Sequence, residues 1–128
     1  MIVSTPTPDL ENENIVATEL PAQEWVTLAE KKVGSGDLRL ALRAMFLANL
    51  ALLGSHRLIG VERWKSNRDY ELELHRKART RTDLLNLFSM SRVRFERCWY
   101  GDHTVTQAEL EEYNANHERI KDAAAESR

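Results

Sequence analysis

With 128 residues, 42% of them apolar and 30% charged, the chain has the composition of one globular domain large enough for a real core, which excludes a disordered polymer. Its single cysteine, Cys98, excludes an intramolecular disulfide. The net charge of −2 conceals an asymmetry: residues 1–30 carry −6, residues 31–100 carry +8 and residues 101–128 carry −4. A basic centre between acidic ends either faces phosphate, an anionic membrane surface or an acidic partner, or is covered by those ends folding back.

Residues 1–20 are polar, with Pro6, Pro8 and the acids Asp9, Glu11 and Glu13. They show no sustained period and read as a flexible acidic linker, without the basic start and apolar run of a signal peptide. A single helical domain is expected over 21–123. Its first helix, near 22–33, starts at Pro21 with Glu24 complementing the helix dipole. Trp25, Leu28, Ala29 and Val33 recur on one face. Gly34-Ser35-Gly36 stops it, because glycine accepts the left-handed position past a helix end. Asp37 is a candidate cap for the second helix, 37–54.

That second helix is the organising stretch. Asp37 to Leu53 is apolar at nearly every position, broken inside only by Arg39, Arg43 and Asn49. A helix apolar nearly all round must be covered on most sides. Two internal arginines and a slightly short length argue against a bilayer span. It is therefore expected at the centre of an all-α fold, antiparallel to the first helix, with Leu42, Met45, Phe46, Leu50 and Leu53 buried by the first and fourth helices.

Residues 58–64 contain Gly60 and are too short for a helix, so any β element is confined to 58–64 and 102–105. Ser66-Asn67-Arg68-Asp69 reads as a capping box opening a third helix, 67–77, with Tyr70 and Leu74 inward. Thr80-Arg81-Thr82-Asp83 reads as a second such start. The fourth helix, 82–100, carries Leu84, Phe88, Ser91, Phe95 and Cys98 on one stripe, and Gly101 ends it. Thr106 with Glu109 is a further capping box, opening a fifth helix over 107–123 with Leu110, Tyr113, His117 and Ile120 on one face. Residues 124–128 are expected to fray.

Three blocks in order carry a resemblance: Gly36-Asp37-Leu38-Arg39-Leu40-Ala41-Leu42-Arg43-Ala44, Lys65-Ser66-Asn67-Arg68-Asp69-Tyr70, and Phe95-Glu96-Arg97-Cys98-Trp99-Tyr100-Gly101 followed by Val105-Thr106. Over residues 22–120 the chain resembles the domain of unknown function found at the C-terminal end of bacterial transglutaminase-like and related membrane proteins. It departs at Cys98, where the family usually has an aliphatic residue, and at Ser66, usually threonine. The resemblance implies a helical domain on the cytoplasmic side, following a transmembrane segment upstream, with no assigned catalytic residues. Residues 1–20 would then be juxtamembrane, and the partners would be proteins, including other domains of the same membrane protein.

No catalytic constellation is legible. Cys98 would need a base, and His103 lies beyond the helix end. His56, His75, His103 and His117 lack metal-site spacing, and the glycines form no phosphate-cradling loop, so neither metal nor cofactor is expected. The sharpest site hypothesis is an anion or partner site at Arg63, Trp64, Lys65, Asn67 and Arg68, where bases surround a helix start. In the competing arrangement Ser66 caps the helix and Asp69 or Glu62 neutralises the arginines. The leading functional expectation is a non-catalytic interaction or regulatory domain. The alternative is a nucleic-acid-binding helical module using Arg57, Arg63, Lys65, Arg68, Arg76, Lys77, Arg79 and Arg81.

Overall fold

The computed structural model describes residues 7–126. Five helices follow one another: α1 (Ala22–Gly34), α2 (Leu38–Ser55), α3 (Asn67–Lys77), α4 (Thr82–Trp99) and α5 (Gln107–Ala125), preceded by a 3-10 turn at Ala17–Glu19. The fold is all-α, and α1 and α2 form the expected hairpin. α2 is apolar enough to cross a membrane by composition, yet here it is the core helix. Leu42, Met45, Phe46, Leu50 and Leu53 are all buried. α2 is covered by α5 as well as by α1 and α4, and α5 is a neighbour the sequence did not suggest.

The turn after α1 shows why glycine stands there. Gly36 takes φ +81°, its N–H donates to the Val33 carbonyl, and the Asp37 N–H reaches back to the Lys32 carbonyl. This is the double-bonded left-handed helix end. α2 ends the same way, with the Arg57 and Leu58 N–H groups donating to Gly54 and Leu53, but Arg57 occupies the left-handed position, at φ 61°. Gly101 is required for another reason: a Cβ there would lie 2.5 Å from the Arg97 carbonyl oxygen.

Four expectations are corrected. First, no strand forms among the described residues, at 58–64, at 102–105 or elsewhere. The 58–64 segment has its backbone bonded by side chains instead of by a partner strand: Glu73 accepts from the Gly60 N–H, Lys65 donates to the Gly60 carbonyl, and the Tyr70 hydroxyl bonds both the N–H and the carbonyl of Glu62. Second, residues 9–20 are not a free linker. Leu10 and Ala17 are buried in the core, Arg43 donates to the Leu10 carbonyl at 2.8 Å, and the Trp25 indole donates to the Ala17 carbonyl at 2.8 Å. Residues 1–6 lie outside the described part. Third, α5 does not fray from 124: Ala123 and Ala124 are buried, Arg81 bonds the Ala123 carbonyl, and residues 127–128 lie outside the described part. Fourth, the side chains of Asp37 and Thr80 do not cap α2 and α4. Asp37 contributes its backbone carbonyl to Ala41, and Arg81, not Thr80, stands at the start of α4.

Candidate functional site

The basic segment before α3 meets the core at a cleft of about 260 Å³. Its floor is Phe46, Leu47 and Leu50 of α2 with Phe95 of α4; its walls are Glu13 with residues 15–17 on one side and Glu62, Arg63 and residues 65–67 on the other, and Tyr70, Glu96 and Tyr100 line it further. α2 supplies an apolar floor because helical spacing puts Phe46, Leu47 and Leu50 beside Arg43. Phe46 and Phe95 stack at 4.5 Å between ring centroids, which fixes that floor. Arg43, which lines the cleft, lies with Arg39 over the Trp99 ring, 4.5 and 3.7 Å respectively from its centroid.

Three of the five sequence-predicted residues, Arg63, Lys65 and Asn67, line this cleft; Trp64 and Arg68 do not. Trp64 is 75% exposed. Lys65 is committed: its ammonium lies 2.8 Å from Glu73 Oε1 and 2.6 Å from the Gly60 carbonyl. Burial works against the Glu73 carboxylate, but hydrogen bonds from Lys65, the Gly60 N–H and Lys77 outweigh it and hold the group below its ordinary range. Gly60 suits this clasp, since a Cβ would sit 3.3 Å from the Lys65 nitrogen. Asn67 donates to Glu96 at 3.1 Å.

The start of α3 is filled by its own sequence. Ser66 accepts from the Asp69 N–H and Asp69 from the Ser66 N–H, and these bonds hold the Asp69 carboxyl below its usual value. A carboxylate therefore sits where an incoming anion would bind, as in the competing arrangement. Arg63 and Arg68 remain exposed without an ion pair among the described residues. The arrangement is not a concentrated anion cradle. It is a mixed-charge rim, with Glu13, Glu62 and Arg63 around an apolar floor.

Cys98 and His103 both line a second depression, at the start of α2. They do not form a nucleophile–base pair. Burial raises the Cys98 thiol above its ordinary value, and His103 Nε2 lies 2.6 Å from Glu109 Oε2, a contact that holds the Glu109 carboxyl at about 2.

The sequence reading missed a buried polar cluster. Asn49 of α2, Ser91 of α4, and Tyr113, Asn116 and His117 of α5 are all buried. His117 Nδ1 lies 2.6 Å from Asn49 Oδ1, within hydrogen-bond distance. Asn116 donates to Ser91 Oγ at 2.8 Å, and Tyr113 donates to the Ser91 carbonyl at 3.1 Å. The Asn49 amide nitrogen has no hydrogen-bond partner among the described residues. Burial lowers His117 below its ordinary 6.5 and raises Tyr113. The sequence signals were Asn49 inside an apolar helix and Ser91, Tyr113 and His117 on inward stripes; Asn116 gave none.

No family model, curated protein or solved structure matches the chain.

Proposed function

We propose that the chain is a non-catalytic interaction or regulatory domain of a larger bacterial membrane protein, working at its cytoplasmic face. The membrane setting rests on the three sequence blocks and their resemblance. The interaction role rests on one observation: an open cleft with an aromatic and aliphatic floor and a rim of opposite charges. Such a surface suits an extended peptide segment that lies along the cleft and pairs its own charges with Glu62 and Arg63 above the buried apolar floor. Other segments of the same membrane protein are the first candidates.

A photo-crosslinking side chain at Tyr100, which lines the cleft and is 73% exposed, tests this in bacterial cells. Discrete peptide adducts, weakened by Glu62→Lys with Arg63→Glu, are expected. The same adduct pattern from a crosslinker at the exposed Glu118 on α5 would refute a specific cleft partner.

The nucleic-acid module stands second. Of its eight expected phosphate-contacting residues, Lys65 and Lys77 are paired with Glu73 and Arg81 is bonded to the Ala123 carbonyl. This leaves Arg57, Arg63, Arg68, Arg76 and Arg79 to contact phosphates.

A further inference from the structure

We infer that the outward face of α3 is a docking surface for an anionic lipid bilayer. The reading goes beyond the cleft and does not depend on it. Residues 57–81 carry eight bases against four acids; Glu62 is exposed on the cleft side, and the other three acids are engaged. Glu71 pairs with Arg92 at 2.5 Å, Glu73 with Lys65 at 2.8 Å and Lys77 at 3.3 Å, and Asp69 accepts the Ser66 N–H. Arg68, Arg76 and Arg79 are exposed and make no ion pair or side-chain hydrogen bond among the described residues. Arg68, Leu72 and Arg76 are spaced four apart, so they form one row along the helix. Of the three acids on α3, only Asp69 is exposed near that row.

Leu72 decides between the anionic partners. It is 47% exposed between two free arginines. Leucine offers nothing to a base edge or a phosphate, but it inserts at the boundary between headgroups and acyl chains while flanking arginines hold the lipid phosphates. Trp64, exposed immediately before the helix, belongs to the residue type that favours that boundary. α5 carries five acids and two bases, so an anionic surface repels that helix and orients the domain with α3 towards the lipid.

The test uses this chain and sedimentation with vesicles of phosphatidylcholine, with and without phosphatidylglycerol. Binding is expected only with phosphatidylglycerol, and it should weaken as salt rises. Each free arginine is worth about a fivefold change in partitioning, so Arg68→Gln with Arg76→Gln should weaken binding about thirtyfold. Leu72→Gln should weaken it several-fold without altering the salt dependence. All three side chains are exposed, so the melting temperature should hold and a binding loss cannot be assigned to unfolding. Equal partitioning onto pure phosphatidylcholine would overturn the proposal, as would unchanged binding by the double arginine variant. So would displacement from the vesicles by a mixed-sequence DNA duplex combined with indifference to Leu72→Gln. Any of these results leaves the cleft reading standing, because adducts at Tyr100 require no lipid.

Discussion

Two polar arrangements hold this domain together, and they solve the same problem in opposite ways. The clasp of Lys65, Glu73 and the Gly60 backbone keeps full charges near the surface and gives the Glu73 carboxylate three donors. The cluster of Asn49, Ser91, Tyr113, Asn116 and His117 lies deeper, carries no formal charge while His117 is neutral, and leaves one Asn49 amide nitrogen unpartnered. Charge is tolerated where bonding is complete and water is close; in the core, the polar groups stay neutral and one unmade bond is accepted. The clasp shapes a loop, whereas the cluster ties three helices.

An apolar deletion sets the scale for both. Phe46→Ala, which empties the stack with Phe88 and Phe95, should cost about 3–5 kcal/mol in urea melts. Glu73→Ala should cost about 3 kcal/mol, because it strands the Lys65 ammonium in a site where that side chain is only 14% exposed. Adding Lys65→Met should recover much of that loss; if it does not, the clasp acts by shape alone. Asn49→Ala should cost about 2 kcal/mol, since it removes the His117 partner together with an already unpaired amide.

The two regions also separate by pH. His117 titrates lower in the fold than its ordinary 6.5, so its contribution is complete above 6.5 and is lost as pH falls from there towards the folded value. Glu73 is likewise depressed from 4.5, so its contribution is present above 4.5 and lost as pH falls through its lower folded value. A pH series of urea midpoints on wild type and Asn49→Ala should place the cluster's share in the higher window. Asn49→Asp gives the smallest change in stability and the sharpest contrast. It turns the neutral contact into an ion pair, and His117 should then titrate above its wild-type value in an NMR titration of its ring.

The helices were legible because their signals are local. Ser66 with Asp69 and Thr106 with Glu109 form their capping boxes as read, and the α4 stripe from Leu84 to Cys98 is buried throughout. What was illegible depends on distant partners. Arg43 and Leu10 are 33 positions apart, and their bond turns an acidic, proline-containing stretch into part of the core. Glu73 gave no signal and His117 read only as part of an inward stripe, because nothing nearby in sequence reveals Gly60 or Asn49. Of the proposed site, the basic character of the loop could be read directly, but the commitment of Lys65 to Glu73 could not.

The anchoring of residues 9–17 has a mechanical consequence. Tension applied ahead of Thr7 enters the domain through the Leu10 carbonyl on Arg43 and the Glu11–Arg39 pair, so the load falls first on α2, the most enclosed helix. The next attachment along the chain is the Trp25–Ala17 bond, and between the two lies the stretch that walls the cleft. A pull that broke these attachments before any helix unfolded would peel that wall away and uncover Phe46 and Leu50, converting force upstream into access at the cleft.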